Sequence, residues 1–172
     1  MVSKIFNIYK RLFWHPIRYA QSLGTKIGKG CLISTKNFPS EAYLIEIGDY
    51  CRIASKVSFF THGGVWSLRK RYGEDLDYFG KIKVGNYTYI GEDSKIMAGV
   101  TIGNEVIIGA GSIVTKSIPD GKIAAGNPAR IVGESVIFFN KIKGISLPTK
   151  NMNKLEKKKY LLSLTDDKFI RK

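Results

Sequence analysis

His62 is the residue of this chain best suited to acid–base chemistry. It stands in Thr61-His62-Gly63-Gly64-Val65-Trp66, directly after a regular apolar stretch that would fix its backbone. A neutral imidazole near physiological pH can take the proton from a hydroxyl. The same segment, residues 61–81, carries Trp66, Tyr72 and Tyr78. These rings suit stacking on the apolar face of a sugar, or packing on the wall or on a neighbouring subunit. Arg69-Lys70-Arg71 either holds an anionic acceptor or forms a solvated face, and Glu74, Asp75 and Asp77 are the nearby carboxylates available to orient the imidazole. His15, the other histidine, precedes Pro16 and reads as structural.

The elements that must position His62 follow from a period of six. From Val84 to Pro119 six consecutive blocks open with Val84, Ile90, Ile96, Ile102, Ile108 and Val114, and each fifth position is Thr, Ser, Val or Ile. Neither a helix of period 3.6 nor a strand of period 2 explains this, so a turn recurs in every block. Each block then supplies a short strand with an inward aliphatic residue, and a turn where glycine or another small residue permits positive φ or close backbone approach. Three blocks close one triangular coil, and stacked coils bury a column of Ile and Val. The pattern begins at Ile27-Gly28 and Ile33-Ser34, leaves for a short excursion through Asn37-Phe38-Pro39-Ser40-Glu41, and resumes at Ile47-Gly48, Ile53-Ala54 and Phe59. Register is then lost until Val84, so residues 61–81 leave the prism as a long loop, and a loop that adds nothing to the repeat is a functional candidate.

Residues 1–23 read as an amphipathic helix that Pro16 kinks or divides, either a lid over the open end of the prism or a basic helix on an anionic membrane. Residues 24–133 form the repeat domain, and 134–172 a basic tail with one helix. Lys and Arg number 28 against 14 acidic residues in 172, and the two ends hold most of the excess. Such a field favours anionic partners. No apolar run is long enough to span a bilayer, and no cleavage site follows a continuous apolar core at the N-terminus. The chain therefore reads as cytoplasmic, with basic ends that fit the inner face of a membrane. Cys31 and Cys51 each take the fifth position of a block and read as stacked core thiols with poor disulfide geometry. The sequon Asn86-Tyr87-Thr88 falls in the prism wall and is discounted.

Three stretches within residues 24–133 carry a family resemblance: Phe59-Phe60-Thr61-His62-Gly63-Gly64-Val65-Trp66, Gly109 to Pro119, and Ala124-Ala125-Gly126-Asn127-Pro128-Ala129-Arg130. In these the chain resembles the hexapeptide-repeat acyltransferases, in particular acetyltransferases of the xenobiotic, maltose and galactoside type that serve bacterial capsule, exopolysaccharide or lipopolysaccharide synthesis. The resemblance implies an all-β, left-handed parallel β-helix, an exception to the right-handed crossover rule. It implies a homotrimer with each active site between two prisms, and acetyl-CoA as co-substrate. His62 matches the family's base, and the Gly99 N–H is the choice for the oxyanion. Ala110, Thr115, Lys116 and Arg130 fall where coenzyme A is gripped; two cations beside phosphates make sense independently. The acceptor is a sugar hydroxyl or an amino-sugar nitrogen. Two departures stand out: Gly63 where relatives place Asp or Asn, and Tyr89 where a Trp is common. The zinc carbonic anhydrases of the same prism need three histidine ligands and are excluded, so no metal is expected. No nucleic-acid motif is present. A non-catalytic scaffold docking on an anionic surface is the competing reading.

Overall fold

The computed structural model describes residues 2–170. Met1 of the expected N-terminal helix, and Arg171 and Lys172 of the basic tail, lie outside the described residues. The expected N-terminal helix is divided at Pro16, not merely kinked: α1 (Val2–Phe13) and α2 (Pro16–Ser22) part at His15 because a proline is favoured at the first position of a helix and disfavoured within one. α2 buries Tyr19 and Ala20 and packs at the start of the prism. α1 leaves Phe6, Ile8, Tyr9, Leu12 and Phe13 exposed, so the lid is α2 alone.

The first coil is β1 (Lys26–Ile27) and β2 (Leu32–Ile33), closed by a lone bridge at Asn37. The second is β3 (Ile45–Ile47), β4 (Arg52–Ile53) and β5 (Ser58–Phe59). The excursion that follows is not a bare loop, for it carries α3 (Trp66–Tyr72). The third coil is β6 (Ile82–Val84), β7 (Tyr89–Ile90) and β8 (Lys95–Ile96), and the fourth is β9 (Thr101–Ile102), β10 (Ile107–Ile108) and β11 (Ile113–Val114). The last coil turns into an antiparallel pair, β12 (Lys122–Gly126) and β13 (Ala129–Glu134). Stacking gives three faces, ordered β1-β3-β6-β9, β2-β4-β7-β10-β12-β13 and β5-β8-β11, parallel throughout except for β12 with β13. This is a parallel β-helix. "All-β" holds for the repeat and understates the chain, which also has helices at both ends and in the excursion.

Each position of the block has a separate physical task. The first is the core: Ile53, Ile90, Ile96, Ile102 and Ile108 are fully buried, each burial stabilising by about 1.5–3 kcal/mol. The second is the close approach between coils. A Cβ on Gly85 would lie 2.6 Å from the Gly103 carbonyl carbon, so no side chain fits. The third caps the next coil: the Asn86 N–H donates to Asn104 Oδ1 (2.9 Å) and the Asn104 N–H to Asp120 Oδ1 (2.9 Å). Asn86 Nδ2 also donates to Asn104, so the side chain of the discounted sequon belongs to this ladder. Positive φ falls on the fourth position, where Tyr50, Tyr87 and Glu105 adopt it as well as glycine. At the fifth, Cys31 Sγ donates to the Gly48 carbonyl (3.0 Å), Cys51 Sγ to that of Gly85 (2.9 Å) and Thr88 Oγ1 to that of Gly103 (2.8 Å). Both thiols are free and buried, and burial pushes the Cys51 thiol up to about 11.

From Val136 the chain forms a separate unit containing most of α4 (Ser135–Gly144) and all of α5 (Lys154–Leu162). α5 opens with a capping box: Asn153 accepts from the Glu156 N–H, and Glu156 from that of Asn153.

Candidate active site

Both excursions leave the prism from the same corner, one coil apart. Asn37 bridges Ser58, 21 residues on, and Phe38 stacks on Phe59 with ring centroids 5.3 Å apart. Four residues beyond each bridge position lie Glu41 and His62, and His62 Nδ1 is 2.8 Å from Glu41 Oε2. Glu41 cannot drift: Ala42 beside it is fully buried, with its carbonyl accepting from Thr25 Oγ1 at 3.0 Å. His62 is equally pinned. It bridges Phe79 in antiparallel sense, the Gly80 N–H donates to the Thr61 carbonyl (2.8 Å), and the Phe79 ring meets the imidazole edge-on at 6.0 Å.

Hydroxyls hold Glu41 ionised. Ser40 Oγ donates to Oε1 (2.6 Å) and the buried Thr61 Oγ1 to Oε2 (3.1 Å). The Ser40 bond is the largest influence, partial burial opposes it, and the bonds from His62 and Thr61 add to it; the carboxyl is lowered from 4.5 to about 2. An ionised carboxylate only accepts hydrogen bonds, so Nδ1 carries the proton, and in the neutral imidazole the lone pair is on Nε2. The imidazole is half-exposed, at 49 %, and separates two hollows of about 440 Å³ each. One is lined by Glu41, Gly63, Trp66, Arg69, Asp77 and Phe79, the other by Arg11, Asn37, Phe38, Phe59 and Phe60. The imidazole therefore faces solvent-accessible space.

The carboxylate that orients His62 is thus Glu41, and not Glu74, Asp75 or Asp77. Asp75 and Asp77 are turned to Arg69, at 2.6 and 3.2 Å from its guanidinium nitrogens. That pairing leaves Arg69 little free positive charge for an anionic acceptor. Trp66 lines the hollow and is 67 % exposed, ready to stack, whereas Tyr72 at the far end of α3 is absent from both hollows. Gly63 also finds its reason: a Cβ there would fall 1.5 Å from Tyr78 Oη, so the phenol occupies the space a side chain would use.

The remaining expected residues lie further along the prism. Gly99, at φ +80°, turns the corner after β8, and its amide nitrogen is packed against Gly80, the residue that bonds to Thr61. Ala110 follows β10 and backs onto Gly91, Thr115 and Lys116 follow β11, and Arg130 lies in β13; all four are exposed. None of the four lines the hollows beside His62. Among the described residues no cluster of His, Cys, Asp and Glu has the make-up of a metal site.

Comparison with known proteins gives the class. The family described as "Bacterial transferase hexapeptide (six repeats)" matches residues 81–116. Protein CapG of Staphylococcus aureus is 46% identical over 147 residues, 83% of this chain and 85% of that one. The galactoside O-acetyltransferase of Escherichia coli K12 is 34% identical over 69% of this chain, which spans 58% of that enzyme's length. Among solved structures, a galactoside acetyltransferase in complex with coenzyme A superposes with a TM-score of 0.60 at 30% identity, covering 78% of this chain and 80% of that one. The chain belongs to the hexapeptide-repeat acetyltransferases.

Proposed function

We propose that this protein is an acetyl-CoA-dependent O-acetyltransferase acting on a sugar hydroxyl in the synthesis of a bacterial surface polysaccharide. The observation that carries the reading is the Glu41–His62 pair at 2.8 Å, which puts the lone pair of the neutral imidazole on Nε2 at the edge of an open hollow. In a single ternary complex Nε2 takes the acceptor's hydroxyl proton as that oxygen bonds to the acetyl carbonyl carbon. The carbon–sulfur bond breaks, and the imidazolium returns the proton to the departing thiolate. The products are an acetyl ester and free CoA thiol. Glu41 stabilises the transient imidazolium, and the Gly99 N–H supports the oxyanion. Trp66 supplies a stacking face for the sugar, with Arg69 and Tyr72 as outer contacts.

Lys116 and Arg130 hold the phosphates of acetyl-CoA, with Ala110 and Thr115 beside the pantetheine arm. Their separation from His62 within one protomer supports a homotrimer with sites between subunits, each taking base and cations from different copies. The prism is left-handed, as in the family. That relatives of this family carry coenzyme A or acetyl coenzyme A, the latter in an acetyltransferase of Vibrio cholerae at 28% identity and TM-score 0.56, supports the donor.

The test is thiol release from acetyl-CoA with a panel of sugars, amino sugars and nucleotide sugars, for wild type and His62→Ala. Acceptor-dependent release falling by about a hundredfold or more in the variant is expected. Release that needs an amine, or that is indifferent to His62, refutes the mechanism.

A further inference from the structure

We propose that α1 is a lipid-docking helix that seats the His62 corner of the prism on an anionic bilayer surface. α1 lines up Phe6, Tyr9 and Phe13 on one face, with Phe6 stacked on Tyr9 and Tyr9 5.0 Å from Phe13. Ile8 and Leu12 widen that face, and all five side chains are at least half exposed. Lys10 and Arg11 flank the stripe on its two sides, and Lys10 Nζ lies 4.7 Å from the Phe6 ring. Residues 1–24 contain four basic residues and no acidic one. An exposed apolar stripe edged by cations is the composition of a helix that lies in the headgroup region of a membrane.

The prism does not need α1, since α2 closes its end. Yet α1 is tied to the site. Lys36 Nζ donates to the carbonyls of Arg11 (2.7 Å) and Leu12 (3.2 Å) in the last turn of α1, where a cation is favoured by the helix dipole. Lys36 adjoins Asn37, where the Glu41 excursion begins, and Arg11 lines one of the two hollows beside His62. The occupant follows from charge. An anionic lipid surface complements both the apolar stripe and the cations that edge it, on a segment with no acidic residue. No described helix is long and apolar enough to cross a membrane, so α1 lies on the surface. Resting on the acetyltransferase reading above, the consequence is an acceptor displayed at the bilayer, a glycan on a lipid carrier.

The test is flotation of the full-length protein with vesicles of phosphatidylcholine alone or with about 30 mol% phosphatidylglycerol. Partitioning onto the anionic vesicles is expected to be about tenfold higher, to fall with salt, and to drop about tenfold in Ile8→Glu/Leu12→Glu. That double variant should acetylate a soluble sugar within about twofold of wild type, with unchanged oligomer mass. Equal partitioning onto both vesicles, or undiminished partitioning of the variant, overturns the proposal. So does a change in oligomer mass without lipid binding, which would make a second copy the occupant. Flotation is read without acetyl-CoA, so its failure leaves the catalytic reading standing.

Discussion

Replacing Glu41 separates orientation from charge at the base. In Glu41→Gln the amide oxygen can take the place of Oε2, still accepting from His62 Nδ1 and Thr61 Oγ1. The amide nitrogen then faces Ser40 Oγ, a hydroxyl that can accept as well as donate. Only the charge is lost. A charge-assisted bond contributes about 1.5–3 kcal/mol and a neutral one about 0.5–1.5. With the imidazole half-exposed the lower parts of both ranges apply, a difference of about 1 kcal/mol, or about fivefold in kcat. Glu41→Ala removes the bond altogether and should cost about 10–30-fold. KM for acetyl-CoA stays within about twofold in both, since neither change touches the donor contacts.

Glu41→Ala also leaves the buried Thr61 hydroxyl without its acceptor, a loss of about 1–3 kcal/mol of stability, so rates are compared well below the melting transition. Nitrogen NMR of His62 gives a readout independent of rate: one tautomer with the proton on Nδ1 in wild type and Glu41→Gln, and a mixture in Glu41→Ala. A Glu41→Ala enzyme within twofold of wild-type kcat refutes the orientation argument. A Glu41→Gln enzyme as slow as Glu41→Ala refutes the hydrogen-bond exchange with Ser40.

Four further outcomes follow from the geometry. Glu41 titrates lower when folded, about 2 against 4.5, so its contribution to stability is complete above pH 4.5 and is lost as the pH falls toward 2. The stability gap between wild type and Glu41→Gln should therefore close as the pH falls below 4.5 in acid unfolding curves. Cys31 and Cys51 should resist a thiol reagent in the native protein and both react in denaturant, because each is buried and the Cys51 thiol is raised to about 11. Gly85→Ala must push coils apart, since its Cβ would meet backbone at 2.6 Å, and should lower stability by about 3 kcal/mol or prevent folding. Gly111→Ala, where φ is +69° and no atom lies within 4 Å, should cost about 1 kcal/mol in the same thermal melt.

The sequence is legible where the repeat is strict and illegible where it breaks. From Val84 to Pro119 every strand lies where the period of six puts it, because first-position burial and second-position contact repeat without interruption. His62 is visible because it directly follows the block at Phe59, where the same pattern still holds. Glu41 is not, since its excursion interrupts the register on which a spacing argument depends. The signal existed: one excursion starts after Asn37 and the next after Ser58, and the same step of 21 residues joins Glu41 to His62. α3 was hidden for another reason. It is seven residues with none buried, too short to show a period, and it is ended by Gly73 in the left-handed conformation. That turn carries Asp75 and Asp77 back to Arg69, which they pair with in place of the histidine.

The separation of His62 on the second coil from Lys116 and Arg130 near the last makes subunit sharing testable by complementation. His62→Ala lacks the base; Lys116→Ala/Arg130→Ala lacks the phosphate contacts and should raise KM for acetyl-CoA by about tenfold or more, leaving it nearly silent at low donor concentration. Each protein alone is then inactive under those conditions. In a cyclic trimer every site takes its base from one protomer and its cations from the next. Mixing equal amounts during refolding makes about three quarters of the trimers mixed, and each mixed trimer contains one interface in which both contributions are intact. One site in three within three quarters of the trimers gives about one quarter of wild-type activity. A site built within one protomer gives none, whatever the mixing ratio. Recovery near a quarter requires the composite site, and its absence in a verified mixed trimer would return base and cations to a single chain.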